Sequence, residues 1–145
     1  MVVGMIASLT GTYGVGVSLR WLSPAYVREH LDTLISIGAD VPGEYWREAH
    51  FLKEFPEKWV LSRVIEFYGQ PIAYAIVSQR NLQEARLHHL MVAKEYRGLG
   101  AGSRLFQEVV AIVTAYGYAR LTLHTDGAGD FYARQGCRQE WVKTL

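Results

Sequence analysis

Residues 92 to 110 read VAKEYRGLGAGSRLFQEVV. Arg97 is followed by Gly98, Gly100 and Gly102, with the apolar run Leu90-Met91-Val92 just before and an amphipathic pattern just after. Glycine at the joint between a strand and a helix has two uses. It allows positive φ, and it lets another body approach the main chain. A tight turn alone needs one or two glycines. Three at alternate positions, next to an arginine and a helix start, fit a loop that wraps an anion, because a helix N-terminus presents unpaired N–H groups and a partial positive charge.

The rest of the chain bounds what that loop serves. The 145 residues suit one domain with one core. Half are hydrophobic and 20% are charged, an ordinary globular balance. A formal net charge of +1 gives no global case for nucleic acid or an anionic membrane. Cys137 is the single cysteine, so no internal disulfide can form, and a cytoplasmic setting is expected. The first 19 residues carry no charge before Arg20, but glycines and polar residues interrupt their apolar run, so neither a signal peptide nor a membrane span is expected there.

Working outward from the loop, Arg86 to Ala93 reads as a strand. The helix behind the loop carries Leu105, Val109, Ile112 and Tyr116 on one stripe, with Phe106, Val110 and Val113 beside it, and stops at Gly117. Upstream, Trp59–Tyr68 and Ile72–Ser78 read as a hairpin around Gly69-Gln70-Pro71. A helix from Ser23-Pro24 to about Gly38 and a second from Glu44 to about Phe55 precede it, after a strand over Val15–Leu22. Downstream come a strand over Leu121–His124, a short helix over Ala128–Gln135 and a last strand over Cys137–Leu145. Antiparallel hairpins followed by a strand–helix–strand crossover predict a mixed, mostly antiparallel sheet flanked by helices, an α/β (α+β) fold.

Two nucleotide motifs fail. A P-loop needs Lys-Ser/Thr after its second glycine, and Gly102 is followed by Ser103-Arg104. A dinucleotide fingerprint needs G-x-G-x-x-G at the start of a doubly wound unit, and its third glycine is missing here. What remains is R-x-x-G-x-G, from Arg97 to Gly102. The segment LHHLMVAKEYRGLGAGSRL resembles the acetyl-CoA region of the GNAT N-acetyltransferases. A second block, FYARQGC from Phe131 to Cys137, resembles that family's fourth helix, and Ala128 fits its small residue one turn earlier. The resemblance runs from about Val15 onward.

The resemblance implies an acetyl-CoA-dependent transfer to a primary amine of a small molecule or peptide, with no metal. It assigns the pyrophosphate to Arg97, Gly98, Leu99, Gly100, Ala101, Gly102 and Ser103, and backbone donors for the thioester carbonyl to Met91 and Val92. Tyr132 matches the family's acid for the departing thiolate. His88 aligns with a position where the family often has an acidic residue, which makes it the first candidate base. His89, Glu66 and a water chain are rivals. Adjacent strand residues face opposite sides, so only one of His88 and His89 is expected toward the thioester. Cys137 and His124 are expected as structural or pocket-lining residues. Residues 23 to 58 hold seven acidic and four basic residues, which would suit a cationic acceptor. Cys137 stands in place of an aromatic, Thr125-Asp126 in place of the asparagine usual there, and nine residues follow Gly136. That leaves room for about one strand, and an open sheet edge could be covered by a second copy or by residues 1–14. A non-catalytic acyl-CoA-binding module is the rival to the enzyme.

Overall fold

Ser23 starts the first helix as its sequence predicts. Its Oγ accepts the Tyr26 N–H at 3.0 Å, and Pro24 occupies the first helical position, where no N–H is needed. The computed structural model describes residues 15–43, 45–125, 127–138 and 142–145. Within them the elements are β1 (Val17–Trp21), α1 (Pro24–Glu29), α2 (Leu31–Ile37), α3 (Glu48–Leu52), α4 (Lys58–Leu61), β2 (Arg63–Phe67) and β3 (Gln70–Gln79). Then come β4 (Glu84–Val92), a 3-10 turn at Lys94–Tyr96, α5 (Ala101–Ala115), β5 (Arg120–Leu123), α6 (Gly129–Arg134) and β6 (Val142–Thr144).

The strands lie in chain order, β1 to β6. Every neighbouring pair is antiparallel except β4 and β5, which are parallel and joined by the α5 crossover. Both faces of the sheet are covered. On one, Leu105, Phe106, Val109 and Val113 of α5 pack on Ile65, Ala75, Val77 and Leu87. On the other, Val27, Leu34, Ile37 and Phe51 from α1 to α3 pack on Val64, Tyr74, Ile76 and Met91. Each fully buried side chain of this kind contributes about 1.5–3 kcal/mol of transfer free energy. The stripe predicted for α5 is rotated slightly: Leu105 and Val109 are buried, but Tyr116 is exposed and Phe106 and Val113 take the inner face.

Several boundaries differ from the sequence reading. The predicted Ser23–Gly38 helix divides at His30, whose backbone leaves helical geometry (φ −114°, ψ 21°) while its ring packs at a tilt against Tyr26, centres 4.3 Å apart. Of the predicted Glu44–Phe55 helix, Glu48–Leu52 is the part that forms among the described residues, with Arg47 extended before it. Trp59 and Val60 belong to α4, not to a strand. Lys58 fixes this turn: its buried ammonium donates to the carbonyls of Phe51 and Lys53 at 2.6 Å each, which ties α4 to the end of α3. Tertiary packing overrides the β-branched and aromatic composition there. The β2–β3 turn is Tyr68-Gly69, both at positive φ, one residue earlier than predicted.

Among the described residues after Gly136, Val142–Thr144 forms a strand against β5, and Arg138 bridges back to Val142 with its N–H on the carbonyl at 3.0 Å. Cys137 is buried in the core beneath α5. The covering strand suggested for residues 1–14 lies outside the described residues. Among the described residues, no helix is long and apolar enough to cross a membrane.

Candidate active site

The sheet opens where β4 outruns its neighbour. Parallel pairing with β5 stops at Leu87↔Leu123, while β4 continues to Val92. From His88 onward no strand among the described residues lies along that edge of β4. Ala93, just beyond, donates its N–H to Ile72 on β3 at 2.8 Å. Alternation in an antiparallel pair then turns the amides of Val92 and Leu90 to the open edge and that of Met91 to β3. Of the two donors expected from sequence, Val92 therefore faces the opening and Met91 does not, while Leu90 faces it without having been singled out.

The glycine loop follows. Gly98 and Gly100 have φ of 74° and 91°, a region L side chains rarely adopt. A Cβ at either would meet nothing within 4 Å, so their requirement is conformational. Gly102 is different. It sits inside α5 with no positive φ, and its missing side chain leaves the floor of a groove between Val92 and Phe131. Gly100 caps α5 without a side-chain hydrogen bond, and no acid occupies the first turn, so the leading amides of a 15-residue helix face the groove unclaimed by capping side chains.

This groove has a volume of about 460 Å³. The loop glycines, Leu90 and Val92 form one wall, and Phe131, Tyr132 and Arg134 of α6 form the other. Ala101 is buried beneath it, Leu99 packs at the edge of the core, and Ser103 accepts a hydrogen bond from Gln135 at 2.9 Å. Arg97 borders the groove, but its guanidinium is committed elsewhere. It grips Asp40 through both Nη atoms, at 2.6 and 2.8 Å, and Nε donates to the Val92 carbonyl at 2.8 Å. The charged side chain on the opposite wall is Arg134, which the sequence reading passed over although it lies two residues after Tyr132 in the same block.

A second cavity, of about 470 Å³, opens on the other side of Tyr132 and shares Leu90, Ala128 and Tyr132 with the groove. Its lip is Val41-Pro42-Gly43, which follows α2. Its walls carry His88, His89 and His124. Tyr132 stands at the junction, 6% exposed, braced edge-on by Phe106 and Phe131 with ring centres 5.6 and 4.9 Å away.

Both neighbouring histidines line this cavity, although adjacent strand residues are expected on opposite faces, and His88 also lines a separate cavity with its ring partners Phe55 and Ser78. The register explains it: Ile76 pairs with His89 and Val77 with Leu87, so His88 is the extra residue of a β-bulge. His88 hydrogen-bonds through Nε2 to Ser78 Oγ at 2.7 Å and stacks on Phe55 at 4.4 Å. His89 bonds through Nδ1 to the Tyr74 hydroxyl at 2.8 Å and stacks on Trp46 at 4.6 Å. Burial pushes both imidazoles down to about 4. The cations of Arg86, Lys58 and Lys53 push the same way at His88, as does His50 at His89. Both rings are neutral at neutral pH.

Glu66 belongs to another place. It lines a separate cavity with Arg20 and His30 that shares no residue with the histidine cavity. There it accepts from the Tyr26 hydroxyl at 2.5 Å and from Arg20 at 3.2 Å. Burial raises its pKa, but these hydrogen bonds and the Arg20 charge outweigh that and hold the carboxyl below its usual range. Among the described residues no carboxylate lines the histidine cavity, and no cluster of His, Cys, Asp and Glu could hold a metal. The acidic excess of residues 23 to 58 is spent partly in Asp40–Arg97 and in Glu54, which accepts from the Trp59 indole at 2.6 Å.

A search of curated protein sequences finds no match. Solved structures share the fold at low identity. Ard1 from Thermoplasma volcanium superposes with a TM-score of 0.71 at 22% identity, over 84% of this chain and 82% of that one. The ribosomal-protein-S18-alanine N-acetyltransferase from Escherichia coli gives 0.67 at 22%, over 83% and 75%. A GNAT family acetyltransferase from Brucella melitensis, in complex with acetyl-CoA, gives 0.66 at 16%, over 89% and 88%. The model of the Acetyltransferase (GNAT) family matches residues 20–137, which span the open β4 edge, the glycine loop and the Tyr132 helix. The chain belongs to the GNAT family and is an acetyl-CoA-dependent N-acetyltransferase.

Proposed function

We propose that the groove holds CoA, that the histidine cavity receives a primary amine of a peptide or small molecule, and that transfer occurs at Tyr132, where the two meet. The observation that carries this is the shared boundary of the two cavities: Leu90, Ala128 and Tyr132 line both. Bound acetyl-CoA supplies an activated acetyl thioester. The residues present fit it: positive-φ glycines and uncapped helix amides suit its pyrophosphate.

The amides from Gly98 to Ser103 bind the phosphates, and Arg134 adds a positive charge from the facing wall. The Val92 and Leu90 amides point at the carbonyl oxygen and stabilise negative charge as it develops there. The neutral imidazole of His88 offers a lone pair at any working pH and takes the proton of the attacking amine, with His89 or water as alternatives. Tyr132 gives its proton to the departing thiolate. Reference values of about 10 for tyrosine and about 8.5 for a thiol make that step uphill by only about 2 kcal/mol. Absence of carboxylates among the described lining residues favours an acceptor that enters as the neutral amine. The E. coli neighbour is named for an alanine of a ribosomal protein, which supports a peptide amine. A cavity of about 470 Å³ falls within the range of ligand pockets, about 300–1,000 Å³.

The buried thiol of Cys137 fits a reducing, cytoplasmic compartment. The three-residue edge strand β6 leaves backbone for a second copy to pair with, which light scattering at tens of micromolar would read. The test of function is thiol release from acetyl-CoA with a panel of amines, including peptides that begin with alanine, and a mass gain of one acetyl group on the acceptor. Binding of CoA with no acetylated product from any amine would return the chain to the binding-module reading.

A further inference from the structure

Arg97 occupies a position where a phosphate ligand is expected, yet it is bound within the protein. Its guanidinium spans three elements. Nε holds the Val92 carbonyl at the end of β4, the Nη pair clasps Asp40 in a two-pronged bridge, and Nη2 also reaches the carbonyl of Ile37 at 3.3 Å. Fork-on-carboxylate geometry is directional as well as attractive, so it fixes the angle between the two groups. Asp40 is the residue immediately before Val41-Pro42-Gly43, the lip of the histidine cavity. The turn that carries it is also held by two backbone bonds, Ala39 N–H to Ser36 and Val41 N–H to Gly38, and by Val41 packing against the core on the α1–α3 face; Arg97 adds a charged tie to β4. The lip thus hangs from the strand whose amides face the thioester.

We infer that Asp40, acting through Arg97, is a positioning residue of the acceptor site: the bridge sets the distance between the acceptor lip and the open edge of β4. The inference rests on the acceptor assignment above. It separates two roles for Arg97. A phosphate ligand would be held back from CoA by Asp40, so removing the carboxylate would tighten cofactor binding. A strap has no such competition, so removing the carboxylate leaves CoA alone and loosens the acceptor side. The bridge is ionic: Arg97 holds the Asp40 carboxyl below its usual range, and both partners are about one-third exposed.

The test uses Asp40→Asn and Arg97→Lys in the full chain. Calorimetry with CoA, acceptor kinetics with whichever amine the panel identifies, and hydrogen exchange of residues 38–43 with CoA bound give three independent readings. For Asp40→Asn the strap predicts CoA affinity within about twofold, acceptor KM raised about fivefold or more with kcat nearly unchanged, and exchange at 38–43 faster by about tenfold. Arg97→Lys, which keeps the charge and loses the fork, should match it in KM and exchange. Tighter CoA binding by Asp40→Asn, an unchanged KM, or unchanged exchange at 38–43 each overturns the inference. A panel in which no amine is acetylated defeats the transfer reading instead, and the exchange measurement still decides the strap. Unchanged exchange at α5 core amides shows that the variants remain folded.

Discussion

The two cavities that meet at Tyr132 are made of different material. On its loop side the groove is mostly backbone: amides of the loop and helix start, two glycines in the left-handed region, and a third whose missing Cβ leaves room. The histidine cavity is made of side chains brought from β4, the β5 end and the lip after α2. A backbone site depends on local conformation and tolerates change around it. A side-chain site depends on packing between distant segments. The difference teaches where specificity can change in this fold: the groove is constrained to one class of ligand, and the other cavity can be rebuilt by substituting its walls.

The largest effect should come at the junction. Tyr132→Phe keeps the ring against Phe106 and Phe131 and removes only the hydroxyl. Loss of a positioned acid is worth about 10²-fold or more in kcat, with CoA affinity nearly unchanged. Single-turnover kinetics beside calorimetry would separate the two, and full turnover would remove Tyr132 from the chemistry.

Next is the backbone half of the comparison. Gly100→Ala adds a Cβ where none would clash but where φ is 91°, so the penalty is conformational, about 1–2 kcal/mol. Gly100→Asp adds a negative charge beside the proposed phosphates and should weaken CoA by about tenfold beyond the alanine variant. Equal CoA affinity in wild type and Gly100→Asp, read by calorimetry, would move the cofactor away from the loop.

The smallest effect concerns the side-chain half. His88 and His89 titrate near 4 when folded and near 6.5 when unfolded, so below about 6.5 the unfolded chain binds protons that the folded chain refuses. Stability is therefore held above pH 6.5 and lost as the pH falls toward 4. Thermal melts of wild type should decline across that window, and His88→Gln should flatten the decline. The same depressed value means that His88→Ala lowers the activity plateau without moving its midpoint between pH 6 and 9. A melting curve indifferent to pH between 6.5 and 4 would contradict the burial of both rings.

This contrast also governs what the sequence could disclose. The loop was legible because its cause is local: positive φ at Gly98 and Gly100, and a helix start at Ala101, are written in adjacent residues. The α5 crossover and the Tyr132 helix were legible for the same reason. The bulge at His88 was not, because it is a mismatch in count between β3 and β4 that neither strand shows alone. The helical turn at Lys58–Leu61 depends on an ammonium finding two carbonyls at the end of another helix. The Arg97–Asp40 bridge was not legible either, because the two residues lie 57 positions apart. Asp40 carries no local signal of the pairing.

The stretch of β4 beyond Leu87 is a sheet edge in the middle of the molecule. The Leu90 and Val92 amides on that edge face no strand among the described residues, so a ligand that fills the opening completes the sheet as well as entering a site. Anything that binds the folded chain and not the unfolded one stabilises it by mass action, by about 2.7 kcal/mol at a hundredfold excess over Kd. For a domain of this size that is a large share of the roughly 5–15 kcal/mol by which proteins are folded at all. The supply of CoA would then influence how much of this protein survives as well as how fast it works.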